Sequence, residues 1–332
     1  MTSWSSRKEP TRRQVVGVMS LNLAAALLAC SRSTQGAITA LQQTADQHDL
    51  AILNLVAVDY GDRTDLAGRT VTGTPAGSVV LRDRPYSIAV SPGGDWIAWD
   101  YWSARPYPEG AGAKFRIVLA TTSEPIRSFT FGSWFGGILA ISSKAQYVAL
   151  INGGADGSRP YGLVVADTAA DRIDYDLTDL VTRFPLPQVV RLSLSGSGGR
   201  LVAGSADWFT VIDVPSRRSV YEARGRYPSL SPDGEVLAFL DQDQHVVLMA
   251  LSTGAGRTLV DWPERVSGIG AWSPDGRYLL AGVSDPISLS NRLIAIEAAT
   301  GNAVDMMPIG DLAGDRCVWI KRGFLSASSV LG

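Results

Sequence analysis

The chain has 332 residues, 45% of them apolar, with 34 Gly and 17 Pro. That is ample for a large core, and the Gly and Pro content suits many short strands joined by turns. The formal charge is −2, and −5 without residues 1–30; such a chain lacks the basic face that nucleic acid demands.

Residues 1–30 have the three parts of an export signal. Arg7, Lys8, Arg12 and Arg13 are the basic start, and Val15–Ala29 is a mainly apolar stretch. At 15 residues it is short for a membrane span, which takes about 20. The stretch ends Leu27-Leu28-Ala29-Cys30, which resembles the lipobox of bacterial lipoproteins. The resemblance implies cleavage before Cys30, a diacylglyceryl thioether on its sulfur and an acylated new N-terminus. More than one acyl chain is needed for stable anchoring, since one binds only marginally. Ser31, where inner-membrane retention uses Asp, implies the outer membrane. Thr11-Arg12-Arg13-Gln14-Val15-Val16 also resembles a twin-arginine export motif. With lipid on Cys30, Cys317 has no disulfide partner, and its apolar surroundings read as a buried, inert thiol. Residues 31–48 are small and polar, a tether with a helical turn or two in Ile38–Ala45.

From residue 49 onward the chain reads as one all-β domain, 49–332. Residues 50–81 read as the third and fourth strands of a sheet with no first pair. Five copies of one pattern follow: an apolar residue, a Ser-led turn, then an apolar strand with Ala near its middle. They are Val90–Trp99, Ile141–Leu150, Leu194–Gly204, Leu230–Phe239 and Trp272–Ala281. The leading serines, Ser91, Ser142, Ser195, Ser231 and Ser273, are spaced by 51, 53, 36 and 42 residues. In Ser231-Pro232-Asp233-Gly234, Pro sets φ, Asp suits the third position and Gly takes the left-handed fourth. Ser273–Gly276 repeats it, and the other three copies are degenerate. After each copy comes a strand–turn–strand unit: 115–131, 161–177, 208–223, 245–260 and 292–307. This makes five complete four-stranded blades. Residues 316–331 read as a first pair without third and fourth strands. Joined to residues 50–81 they give a sixth blade and leave no sheet edge bare. The expected fold is a six-bladed β-propeller with its ring closed by N- and C-terminal strands.

These copies resemble the WD40-like Ser-Pro-Asp-Gly repeats of the Tol-system periplasmic protein TolB and of the propellers in prolyl-oligopeptidase-type enzymes. The resemblance spans about residues 50–331 and is strongest at 227–281. TolB carries an additional N-terminal α/β domain; residues 31–48 are far too short for one, so the TolB role is not carried over.

Catalytic motifs are absent: there is no His-Glu-x-x-His, Walker loop, Cys-x-x-Cys or Gly-x-Ser-x-Gly. Ser195–Gly199 is glycine-rich but occupies a blade turn. His48 and His245 are the two histidines, so no metal site or cofactor is expected. Asp241–His245 reads as a solvated turn rather than a calcium loop, lacking the loop's Gly and distal acid. Ligands are expected on the face opposite the Ser-led turns, where the long connections 100–114, 151–160, 178–188 and 282–291 lie. Arg-Pro-Tyr occurs there three times, at Arg84–Tyr86, Arg105–Tyr107 and Arg159–Tyr161. Arg and aromatic residues anchor partners, which makes Trp102, Arg105, Tyr107, Trp134, Arg159 and Tyr161 the partner-binding candidates. The expected function is a lipid-anchored, periplasm-facing envelope lipoprotein whose propeller binds a protein or glycan as a scaffold. The alternative is a propeller enzyme, a lactonase or glycan-processing hydrolase, with Asp100, Asp156 and Asp285 as candidates for carboxylates converging on the central channel.

Overall fold

The computed structural model describes residues 36, 38–55, 58–59, 63–82, 85, 87–102, 115–123, 126–131, 134–154, 161–259, 265–284, 291–308, 316–325 and 330–331. Five consecutive four-stranded antiparallel blades form. Blade 1 is Ile88–Val90, Ile97–Trp102, Phe115–Ala120 and Arg127–Phe131. Blade 2 is Trp134–Ile141, Tyr147–Gly154, Gly162–Asp167 and Arg172–Asp176. Blade 3 is Arg191–Leu194, Arg200–Gly204, Trp208–Asp213 and Arg218–Arg224. Blade 4 is Arg226–Leu230, Val236–Leu240, Val246–Ala250 and Gly256–Leu259. Blade 5 is Arg265–Trp272, Tyr278–Ser284, Asn291–Glu297 and Ala303–Pro308. These are the five blades expected from the repeats.

Both chain ends meet in blade 6, but they divide it differently from the expected two and two. Cys317–Lys321 is its inner strand, and the N-terminal part supplies the next three, Leu50–Asn54, Arg63–Arg69 and Pro75–Arg82. In sequence residues 50–81 read as two strands, because apolar residues continue past Asn54. Leu50 pairs with Lys321 and Asn54 with Cys317. The chain then turns through a 3₁₀ segment, Arg322–Leu325, and ends on Val330–Leu331, which adds in parallel to the outer strand. Gly77 makes that passage possible: its φ is +122°, and a Cβ there would stand 2.0 Å from the Leu325 carbonyl oxygen.

Strand periodicity places the core. Each strand alternates side chains between its two neighbouring blades, so the apolar residues form six packed layers, one per blade interface. In Tyr278-Leu279-Leu280-Ala281, Tyr278 and Leu280 face blade 6, whereas Leu279 and Ala281 face blade 4. The layer between blades 6 and 1 joins Ala51, Leu66 and Ile320 to Ile97, Trp99 and Ala120. That layer contains both chain ends and closes the ring.

The Ser-led turns share one construction. Each serine is buried, and its Oγ accepts the backbone N–H five residues on, at 2.8–3.1 Å in all five copies. The fourth position has positive φ throughout: Gly94 (73°), Ala145 (52°), Gly198 (78°), Gly234 (77°) and Gly276 (69°). In the two full copies the Asp Oδ1 accepts the serine hydroxyl at 2.5 Å and a backbone N–H two residues on. Asp233 and Asp275 are therefore turn residues. Neighbouring turns also bond across blades, from Ser143 N–H to Gly196 O and from Gly196 N–H to Pro232 O. Ser195–Gly199 is thus a turn clamped between two others, as its sequence position implies.

Residues 38–47 are helical. Leu41 and Ala45 are buried in the layer between blades 5 and 6, beside Tyr278 and Trp319. Arg322 ties down the far end, with Nη2 2.6 Å from Asp46 Oδ1 and Nε 3.0 Å from Leu50 O. The second half of the expected tether is thus docked on the ring, and on a definite side. Lys321, which pairs with Leu50, donates its N–H to Gly94 O in the blade 1 turn. The helix therefore joins the ring at the face of the Ser-led turns.

Candidate functional site

The six inner strands enclose a central channel of about 860 Å³. Each is the edge strand of its sheet, so backbone groups not used by the sheet border the channel. Inner strands run from the long-connection face to the turn face. Leu55, Val190 and Ser205 line the first mouth, and Pro92 and Pro232 the second. The walls between are aliphatic, with Leu139, Ile141, Leu192, Leu194, Leu230 and Val318, interrupted by serines. Two of the serines stitch blades together: Ser87 Oγ accepts Leu139 N–H at 3.1 Å, and Ser193 Oγ accepts Leu230 N–H at 3.0 Å. Trp272 adds a third stitch, donating its indole N–H to Ser229 O at 3.1 Å.

The charged residues among the described lining are Arg191, Arg226 and Arg316. Each stands at or just before the start of an inner strand, in blades 3, 4 and 6, so all three lie toward the long-connection mouth. Sequence reading missed them because nothing local marks them. The one available signal was an Arg at the head of an inner strand in blade after blade: Arg191, Arg226, Arg265 and Arg316. Arg265 is bonded to the Gln244 side chain and stays outside the channel.

The partner-binding candidates fall on blades 1 and 2. Trp102 ends the second strand of blade 1 and Trp134 opens the first strand of blade 2. Tyr161 precedes the third strand of blade 2 and is 40% exposed. All three positions are at the long-connection face. Arg105, Tyr107, Arg159 and Cys30 lie outside the described residues, as do Asp156 and Asp285. Asp100 does not line the channel: it is buried in blade 1, where Oδ1 accepts Ser87 N–H at 2.7 Å. The connection 178–188 differs from its expected role as a ligand loop. It folds into two 3₁₀ turns, and Val181, Phe184 and Leu186 fill the layer between blades 2 and 3.

The Asp241–His245 turn is held by Asp241, whose Oδ1 accepts the N–H groups of Asp243 and His245 at 3.0 and 2.8 Å. Side-chain oxygens of Asp241 and Asp243 and a ring nitrogen of His245 lie within 4.8 Å of one another. The backbone bonds account for the arrangement as a turn. Cys317 is buried and, among the described residues, in no disulfide. Among the described residues no helix is long and apolar enough to cross a membrane.

No protein-family profile and no curated protein matches the chain. Among solved structures it is similar to TolB from Acinetobacter baumannii, at 14% sequence identity and a TM-score of 0.52. The match covers 81% of this chain and 66% of that one, so this chain spans just under two thirds of the TolB chain. At that identity the likeness speaks to architecture, and the chain has a β-propeller fold of the kind seen in TolB.

Proposed function

We propose that the protein is a bacterial envelope lipoprotein, anchored by lipid on Cys30 in the outer membrane, whose propeller captures an envelope protein and acts as a scaffold. The observation that carries this reading is where the chain joins the ring. The helix at 38–47 docks at the turn face. Cys30 is eight residues before Ile38, a reach of at most about 28 Å. A lipid there holds the turn face toward the membrane and leaves the opposite face free, with the channel mouth and the positions of Trp102, Trp134 and Tyr161. The likeness to TolB, a propeller of the Tol system, supports an envelope setting.

Fractionation of cells expressing the full chain tests the anchor. Cys30→Ala should move the protein to the soluble fraction, and persistent membrane attachment would overturn lipidation. Crosslinking and pull-down from intact cells tests the scaffold role. The same envelope protein should be recovered repeatedly, and recovery should fall when Trp102 and Arg105 are replaced together by Ala at an unchanged melting temperature. Unchanged capture would remove that part of the face from the reading.

A further inference from the structure

We infer that the channel is a receptor for an acidic peptide segment, whose carboxylates are met at the mouth by Arg191, Arg226 and Arg316. This rests on the scaffold reading and specifies the chemistry of the captured partner. The chain as a whole is slightly acidic, with 32 Asp and Glu against 30 Lys and Arg. Its channel is the reverse: the described lining has three Arg and no Asp, Glu or Lys. Cationic groups converging on one cavity give a field that selects anions.

Two of the side chains are also available. Arg226 and Arg316 are exposed, and among the described residues neither side chain meets an acid or another acceptor. Arg191 reaches toward blade 5, with Nη2 3.3 Å from Gly270 O. The backbone beside Arg226 is irregular. The pairing with the next strand slips between Arg226 and Ser229, and Tyr227 sits at φ +53°. A left-handed tyrosine is strained, and such strain clusters at binding sites. Guanidinium groups are donors only, so they call for a ligand rich in acceptors.

The rest of the channel selects a peptide among anions. Six strand edges border it, and an extended chain can pair with such an edge through its backbone. The aliphatic walls below the mouth suit apolar side chains alternating with the acids. The volume of about 860 Å³ admits a short segment rather than a folded domain.

Fluorescence anisotropy with the full chain in detergent tests this, using a fluorescein-labelled peptide that alternates Asp and Leu. The Asp peptide should bind and weaken steeply with salt, and the same peptide with Asn for Asp should bind roughly tenfold or more weakly. Arg226→Gln with Arg316→Gln should lower affinity for the Asp peptide by a similar factor. The melting temperature should stay unchanged, because neither side chain is bonded among the described residues. Equal binding of the Asn peptide, or wild-type affinity in the double variant, overturns the inference. So does equal displacement by an oligomer of galacturonic acid, which would assign the channel to acidic sugars. Pull-down with the double variant separates the two readings. Capture that persists without peptide binding sinks the channel assignment alone, whereas no recurrent envelope partner for either form sinks the scaffold reading.

Discussion

Ser273 offers a direct test of the turn construction that builds the ring. Its side chain is fully buried, with Oγ accepting Tyr278 N–H at 2.8 Å and donating to Asp275 Oδ1 at 2.5 Å. Ser273→Ala leaves the backbone bonds of the turn in place but strands the N–H of Tyr278, a residue 2% exposed. A buried donor without a partner costs about 1–3 kcal/mol, so a loss of about 2 kcal/mol is expected. A body of about 290 residues unfolds with an entropy near 0.6 kcal/mol per kelvin, and the melting temperature should fall by roughly 3–4 °C. The companion variants decide what the aspartate does. Asp275→Asn keeps an oxygen to accept from Ser273 Oγ and Arg277 N–H, and should cost under about 0.5 kcal/mol. Asp275→Ala removes both bonds and should cost about 1 kcal/mol. Urea and thermal unfolding followed by circular dichroism measure all three. A Ser273→Ala variant as stable as wild type would refute the reasoning, as would an Asp275→Asn variant as unstable as Asp275→Ala.

Ala145 takes the left-handed position that glycine holds in the other four turns. Ala145→Gly should be close to neutral in urea melts, because relief of about 1 kcal/mol of backbone strain offsets the buried methyl, worth about 0.8 kcal/mol. Gly276→Ala, whose Cβ would meet Pro232 Cδ at an unstrained 3.9 Å, should lose about 1 kcal/mol from φ alone. Gly77→Ala should be far worse, about 3 kcal/mol or no soluble protein, since its Cβ collides with the Leu325 carbonyl; Leu325→Ala should cost about 2–5 kcal/mol. Glu297 accepts from the Thr300 hydroxyl and pairs with Arg277 at 2.9 Å, which holds its carboxyl below the usual glutamate range. Its contribution is therefore present above that range and is lost as pH falls through the lowered value. The stability gap between wild type and Glu297→Gln, measured in urea, should shrink from pH 7 to pH 3.

What the sequence disclosed follows from how local each signal is. The Ser-led turn is written in six consecutive residues, and its hydrogen bonds close within those six, so even copies without Pro or Asp could be aligned. The third and fourth strands of each blade are joined by short turns and were legible for the same reason. Blade 6 was legible as a joining of ends but not in its division, because the pairing of Leu50 with Lys321 is set by packing across the ring. The connection 178–188 looked like an exposed loop because Pro185 and Pro187 and the charged Asp179 and Arg183 interrupt its apolar residues. Its burial depends on the space between blades 2 and 3. Arg191, Arg226 and Arg316 are separated by 35 and 90 residues. Only the ring brings them to one mouth.

The closing blade also bears on how the site is kept in shape. Pairing Leu50 with Lys321 shuts a loop of about 270 residues, an entropic cost near 5 kcal/mol by the logarithmic rule. Two apolar layers offset it, the one against blade 5 with Trp319 and Ile52 and the one against blade 1 with Leu53 and Ile320. The 3₁₀ segment at Arg322–Leu325 then carries the chain outward over the glycine pair Gly68 and Gly77 to the outer edge. Blade 6 is thereby held from inside and outside by the same terminal stretch. Arg316 stands one residue before the inner strand of this blade, so its place at the channel mouth depends on ring closure. Opening the ring would remove one of the three arginines without touching the other two. Loosening Leu325, remote from the channel, should therefore weaken binding of an acidic peptide along with stability, whereas loss of the Arg226 and Arg316 side chains should weaken binding alone.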